Sequence, residues 1–149
     1  MDNGHEDIDA VTEQVIGAAI EVHKVMGPGL SEGIYREAVM IELDSRGIPF
    51  QYSVLVPVNY KGRRLQKRFE LDLLVGNRLI VELKSVDTLH PVHSAQVITY
   101  LRLTGYPAGL LVNFNDATLR AGLKRFDHPE RYKLKQARRR IDDRRTGEE

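Results

Sequence analysis

The chain has 149 residues, of which 22 are Lys or Arg, 21 are Asp or Glu, and none is Cys. This length and an apolar fraction of 42% fit one globular domain with a single core and argue against a repeat array or a two-domain enzyme. The lack of cysteine excludes disulfides, thiol nucleophiles and thiolate-bound metals, so any metal must use oxygen or imidazole ligands. With no signal-like or membrane-spanning stretch, we expect a cytoplasmic protein without membrane contact.

The near-neutral total charge is an average of unlike segments. Residues 1–13 carry a charge of −5 and residues 131–149 a charge of +4. We therefore expect an acidic N-terminal segment over 1–13, a central domain over 14–127 and a basic C-terminal helix or tail over 128–149. Within the central domain, one predicted turn concentrates positive charge without any acidic residue. Its basic residues are Lys61, Arg63, Arg64, Lys67 and Arg68.

The first part of the chain has the apolar spacing of two helices. The first is predicted over residues 11–25 and ends at the Gly27-Pro28-Gly29 break, and the second runs from about 31 to 46 and ends at Gly47. The residues expected to face the core are Val11, Val15, Ala18, Ala19, Val22 and Val25 in the first helix, and Ile34, Ala38, Ile41 and Leu43 in the second.

After Pro49 the pattern becomes that of strands. Three strands are predicted with short turns between them, which makes an antiparallel meander. A helix, a continuous apolar strand and a short helix follow. The predicted bounds are 52–60, 66–75 and 78–85 for the meander, 92–104 for the helix, 108–114 for the strand and 117–124 for the short helix. The order predicts an α/β fold in which a mixed central sheet is flanked by helices.

The third predicted strand carries two opposite charges on one face. Alternation along the strand places Glu82 and Lys84 on the same side as Ile80. In a central strand such a pair is costly to bury unless a metal or other partners match it. A Glu-x-Lys pair is short and common, however, and an ordinary solvated ion pair is the alternative interpretation.

A second carboxylate belongs to the same region if the preceding turn has an odd length. A three-residue loop at 76–78 would pair Val75 with Leu79 and set Asp72 opposite Glu82, whereas a two-residue loop would place the carboxylates on opposite faces. Two facing carboxylates about 5 Å apart at Cβ need a cation between them to remain ionised. Mg²⁺ is the natural candidate for oxygen ligands.

Two groups of helical residues complete the set of candidates. Glu32 opens the second helix, with Tyr35 and Arg36 three and four residues further on. Gln96 and Tyr100 form a polar stripe on the helix after the meander. Taken singly, Glu32 and Gln96 are typical surface residues, but their order along the chain with Asp72, Glu82 and Lys84 is a specific pattern.

This order resembles the PD-(D/E)XK nuclease superfamily, close to its RecB-type branch. The segment Gly29-Leu30-Ser31-Glu32-Gly33-Ile34-Tyr35 is similar to the signature of the small bacterial GxxExxY proteins. The resemblance extends from about residue 15 to 125. It implies a restriction-endonuclease-like core and a metal-dependent nuclease that hydrolyses phosphodiester bonds in nucleic acid, with DNA as the expected substrate and Mg²⁺ or Mn²⁺ as the cofactor.

The resemblance also assigns roles to individual residues. Asp72, Glu82 and the carbonyl of Leu83 would bind the metal, and Glu32 would reach it directly or through water. Lys84 would orient the attacking water or help to deprotonate it, and would offset charge in the transition state.

The supporting roles fall on the helices. Gln96 would hold the water or the scissile phosphate, and Tyr100 would support that helix face. Tyr35 and His23 are further supporting candidates, although a packed, hydrogen-bonded histidine is the default interpretation of His23.

Other features leave alternatives open. The basic turn is either a solvated hairpin tip or a surface for phosphate contact. His90 and His93 fit a loop and a helix start. Their i,i+3 spacing could also bind a transition metal, and His93, one turn before Gln96, could approach the substrate. The protein could be a non-catalytic nucleic-acid-binding or assembly module that keeps the fold, or could hydrolyse a smaller phosphoester. Endonuclease or exonuclease action, the preference for DNA or RNA, and a homodimer are all left open by the sequence.

Overall fold

The computed structural model describes residues 4–130, and the side chains from Ile8 onward. The predicted basic tail therefore lies almost entirely outside the described residues. The elements in chain order are α1 (Gly4–Met26), α2 (Glu32–Ser45), β1 (Phe50–Tyr60), β2 (Arg63–Val75), β3 (Leu79–Lys84), α3 (Pro91–Thr104), β4 (Ala108–Asn113), a 3₁₀ turn (Arg120–Gly122) and β5 (Leu123–Asp127). No helix within residues 4–130 has the length and apolar character needed to cross a membrane.

The five strands form one mixed sheet in the order β1-β2-β3-β4-β5. Strands β1, β2 and β3 are an antiparallel meander, β3 and β4 are parallel, and β5 is antiparallel to β4. The α3 helix is the crossover that a parallel pair requires. The predicted α/β architecture with a mixed sheet and a three-strand meander is confirmed.

Helices cover both faces of the sheet. The larger core lies between α1, α2 and one face, which contributes Leu73, Val81 and Leu83. The smaller core lies under α3 and contains Leu74, Ile80 and other residues of that face. Gly109 of β4 allows α3 to come close, because a Cβ at that position would lie 2.8 Å from Val97 Cγ1.

The N-terminal helix begins earlier than its apolar spacing indicates. It starts at Gly4 and its buried face includes Ile8 and Thr12, which are 0% and 1% exposed. Part of the acidic segment is therefore helical and packs on the core. The other end differs too, because Val25, expected to face the core, lies in the last turn and is 71% exposed.

The predicted core face of α2 is confirmed at Ala38 and Leu43 and wrong at Ile34 and Ile41. Ile34 and Ile41 are 41% and 70% exposed, whereas Tyr35, Val39 and Leu43 are buried. The buried line runs at intervals of four residues, and adjacent residues are turned by about 100° around a helix, so Ile34 points away from it. The apolar residues of α2 are distributed over more than one face of the helix. Their spacing alone therefore does not identify the buried face.

The short helix predicted over 117–124 is also wrong. A 3₁₀ turn at Arg120–Gly122 leads instead into β5, which pairs with β4 from Val112↔Leu123 to Ala108↔Asp127. Because β4 is buried along its whole length, its backbone groups on the side away from β3 need partners, and β5 supplies them.

Candidate active site

The turn between β2 and β3 has the odd length that the facing carboxylates require. Val75 pairs with Leu79, which leaves three residues, 76–78, in the loop. The paired register continues to Leu73 opposite Val81, so the next positions along the two strands are Asp72 and Glu82. Because Ile80 packs under α3, alternation places Glu82 and Lys84 on the α3 face as well.

Asp72 and Glu82 hold each other through backbone groups. The Asp72 N–H donates to Glu82 Oε1 at 3.2 Å, and the Leu83 N–H donates to Asp72 Oδ2 at 2.9 Å. Each carboxyl group thus accepts a backbone N–H from the neighbouring strand at the point where the backbone pairing of β2 and β3 ends. The predicted opposition of the two side chains is present in the structure.

This contact gives Glu82 an unusual proton affinity. Its side chain is 4% exposed. Burial, followed by the negative charge of Asp72, raises the pKa of Glu82 from 4.5 to about 9, and Lys84 only partly opposes this shift. A buried acid beside a second carboxylate keeps its proton at neutral pH unless a cation offsets the charge.

A break in the sheet accompanies Asp72 on its other side. The pairs Tyr52↔Leu73 and Val54↔Leu71 flank Asp72, and Ser53, which lies between the β1 partners, has a φ of 50°. Leu71 and Leu74 belong to the same core although regular alternation would point them to opposite faces. The irregularity therefore falls at Asp72. Its signal in the sequence, one serine in an apolar strand, is too weak to predict it.

The α3 helix places Tyr100 beside the carboxylates. The Tyr100 ring stacks on Phe69 of β2 with centroids 4.3 Å apart. Burial and then the charges of Glu82 and Asp72 raise the pKa of the Tyr100 hydroxyl. Gln96 is exposed and lies one turn nearer the start of α3. The predicted polar stripe of α3 is thus on the same face of the sheet as the carboxylates.

At the start of α3, the charges of Lys84 and Glu32 both act on the pKa of His93. Loss of solvent around the ring and then the charges of Lys84 and His90 lower the pKa of His93, while Glu32 acts in the opposite direction. Lys84 is partly buried and Glu32 is exposed at the first turn of α2. His93 was noted in the sequence but was not placed among the site residues.

Tyr35 and His23 are on the other side of the sheet. The Tyr35 hydroxyl donates to the Gly27 carbonyl and accepts from the Leu30 N–H, and its ring stacks on Phe114 with centroids 4.5 Å apart. His23 Nε2 lies 2.9 Å from the carbonyl oxygen of Asp116. Tyr35 holds α2 to the Gly27 turn, and His23 holds α1 to the loop after β4. The structure does not bring either side chain to Asp72 and Glu82.

A buried amide supports the end of β3 and was missed in the sequence. Asn113 is 1% exposed and lies opposite Lys84 in the parallel register. Its Oδ1 accepts from the Val86 N–H at 3.0 Å, and its Nδ2 donates to the Val86 carbonyl at 2.8 Å. Asn113 therefore fixes the chain directly after Lys84. One polar residue inside a continuous apolar run was the available signal.

The donor set at the carboxylates suits a hard cation. The N–H and C=O of one strand residue point to the same side, so the Leu83 carbonyl points, like its N–H, towards Asp72. Two carboxylates and a carbonyl are oxygen ligands of the kind that Mg²⁺ and Mn²⁺ accept. Within residues 4–130, no three His, Cys, Asp or Glu side chains converge to hold a metal by themselves, and Glu32 stands apart from the carboxylate pair.

The basic residues of the β1–β2 hairpin are all exposed. The two strands are joined by a two-residue turn, Lys61 and Gly62. Both residues have a positive φ (47° and 79°), which a type I′ hairpin turn requires. At about 3.3 Å per residue, Arg68 lies about 13 Å and Arg63 about 30 Å along β2 from Asp72. We call Lys61, Arg63, Arg64, Lys67 and Arg68 the hairpin cations.

Comparison with known proteins gives one result. The family model of the PD-(D/E)XK nuclease superfamily matches residues 9–126. No curated protein and no solved structure was found to match. The matched region begins within α1, ends within β5 and contains every element between them. It also contains all the residues of the site described above.

Proposed function

The chain belongs to the PD-(D/E)XK nuclease superfamily, and from this we propose that it hydrolyses phosphodiester bonds in nucleic acid, with DNA as substrate and Mg²⁺ or Mn²⁺ as cofactor. Within the superfamily we propose a place near the RecB-type branch, among the GxxExxY proteins. The contacts of Tyr35 with Gly27 and Leu30 fit this placement, because they give the tyrosine of that signature a structural role.

The facing of Asp72 and Glu82, with Lys84 on the same face, is the observation that carries the proposal. Both carboxylates and the Leu83 carbonyl would hold the metal, and Glu32, which stands apart from the pair, would act on it only through water. A bound divalent metal lowers the pKa of water and neutralises phosphate oxygens. The ammonium group of Lys84 would orient the attacking water and offset charge that develops on the phosphate.

Residues of α3 would position the substrate. The exposed amide of Gln96 can hydrogen-bond to a phosphate oxygen or to the attacking water. The stack of Tyr100 on Phe69 joins α3 to β2, so Tyr100 would hold that face of α3 in position beside the carboxylates. The hairpin cations would contact backbone phosphates away from the cleaved bond, where they add affinity without reading sequence.

The test is cleavage of linear duplex DNA, single-stranded DNA and RNA in Mg²⁺ and in Mn²⁺. We expect the wild-type protein to cut DNA and D72N and K84A to lose the activity. The matched controls are D44N on α2 and K124A on β5, which remove the same charges from exposed positions. Cleavage that persists in both D72N and K84A would contradict the site.

The second candidate function is nucleic-acid binding without catalysis. It is favoured by the fact that only two acidic side chains converge in the part of the chain that the structure describes. A wild-type protein that binds DNA, takes up no Mn²⁺ by calorimetry and cuts none of the substrates would establish this function in place of the first.

A further inference from the structure

The ring of His93 is held by the backbone at the start of α3. The N–H of His90 donates to His93 Nδ1 at 3.1 Å. This bond is the one that a Glu or Gln side chain makes at the same helix position in a capping box. Because Nδ1 accepts a hydrogen bond, it carries no proton, so the neutral ring bears its proton on Nε2.

The same face of α3 carries Gln96 and Tyr100 three and seven residues further on. The Tyr100 ring stacks on Phe69 of β2, three residues before Asp72, so this face lies over the strand that carries the first carboxylate. At the helix start, the charge of Lys84 acts on His93 and helps to lower its pKa. The lowered pKa favours the neutral ring, which keeps one N–H donor, Nε2–H, at the end of α3 on which the charge of Lys84 acts.

We propose that His93 Nε2–H donates a hydrogen bond to a non-bridging oxygen of the phosphodiester at this site. The inference rests on the proposed function and adds a substrate-binding residue to it. A phosphate beside Lys84 would meet a charged donor from β3 and a neutral, directional donor from α3. Because the backbone fixes the ring through Nδ1, the donor is oriented before the substrate binds. Binding then loses little side-chain entropy at His93.

Three variants separate the possible roles of His93. His93→Gln keeps the bond from His90 N–H and also supplies an N–H donor. His93→Glu keeps that bond but has no donor and adds a negative charge. His93→Met is neutral, with neither the bond nor a donor. His128→Glu, at a distant position, is the charge-matched control.

We expect both His93→Met and His93→Glu to lower kcat by about 100-fold, in the range found when one transition-state donor is removed. His93→Gln should retain at least ten times the kcat of either. A role in capping alone would leave His93→Glu active and make His93→Met lose activity in step with its melting temperature. A purely electrostatic role would leave His93→Met active. Either of these patterns would overturn the proposal.

A second measurement does not depend on cleavage. Two-bond ¹H–¹⁵N spectra of the histidine rings, assigned with His93→Gln, should show the Nε2–H tautomer of His93 in the free protein. Its Nε2 resonance should shift when a DNA dodecamer duplex is added without divalent metal. A ring in the Nδ1–H tautomer, or a ring unchanged while backbone amides elsewhere shift, would refute the proposal. If no resonance shifts at all, nucleic-acid binding itself fails, and this inference with it.

Discussion

Asp72 and Glu82 lie at the register position where β2 and β3 stop pairing through backbone groups alone. From Val75↔Leu79 to Leu73↔Val81 the strands are in regular register, and at the next step the bonds run from the Asp72 N–H to Glu82 and from the Leu83 N–H to Asp72. The backbone hydrogen bonding of β2 and β3 thus ends at the same position at which the two acidic side chains meet. Because each carboxyl group accepts a backbone N–H from the neighbouring strand, the pair is part of the fold.

The raised pKa of Glu82 makes stability depend on pH in the metal-free protein. Between pH 4.5 and about 9 the folded chain keeps a proton on Glu82 that the unfolded chain has released. The unfolding free energy therefore falls as pH rises through this window, by up to about 1.4 kcal/mol per pH unit. The contribution is fully present below pH 4.5 and is lost as pH approaches 9.

Urea unfolding in EDTA at pH 5, 6, 7 and 8 measures this dependence. E82Q, which is neutral at every pH, should remove most of the slope and be more stable than the wild-type protein at pH 8. E37Q, at an exposed position of α2, should leave the slope unchanged. Equal slopes for E82Q and the wild-type protein would show that Glu82 titrates near its ordinary pKa.

Metal binding should displace the proton of Glu82. A cation binds the ionised carboxylate, so affinity for Mn²⁺ should rise with pH, and one proton should be released per ion bound near pH 7. Calorimetry in two buffers with different ionisation enthalpies measures that number. D72N should abolish the binding without unfolding the protein, because the asparagine oxygen can still accept from the Leu83 N–H. D44N should bind as the wild-type protein does, and proton-independent binding would contradict the model of the site.

The sequence predicted the centre of the molecule better than its edges. The facing of Asp72 and Glu82 followed from one turn length and strand alternation, because a strand buried on both sides tolerates no register slip. β5 is a polar edge strand that supplies hydrogen-bond partners to the backbone of β4. Its own residues therefore show little of the apolar alternation from which a strand is predicted. The break at Ser53 and the bonds of Asn113 are tertiary effects, since their partners are distant in sequence.

Tyr35 should be important for stability. The side chain is fully buried, and removal of its hydroxyl in Y35F leaves the Gly27 carbonyl and the Leu30 N–H without this partner. Both groups are half-buried, and a hydrogen bond contributes about 0.5–1.5 kcal/mol net, so loss of the two bonds in Y35F should lower the unfolding free energy by about 1–3 kcal/mol. Chemical unfolding measures the change. Y52F, at an exposed tyrosine of β1, should have no effect, and a Y35F protein as stable as Y52F would show that water satisfies both groups.

The hairpin cations should determine how DNA affinity depends on salt. Each phosphate contact contributes about 0.9 to the slope of log K against log salt concentration. A variant with four cations of β2 changed to Gln should lose up to about 3.6 from that slope and bind more weakly at every salt concentration. The four changes are Arg63→Gln, Arg64→Gln, Lys67→Gln and Arg68→Gln.

The control for this variant removes the same charge from other exposed positions. Its four changes are Lys24→Gln, Arg102→Gln, Arg120→Gln and Lys124→Gln. Fluorescence anisotropy with a 30-base-pair duplex from 50 to 300 mM NaCl gives both slopes. Equal slopes for the hairpin and control variants would mean that the hairpin tip is only solvated surface.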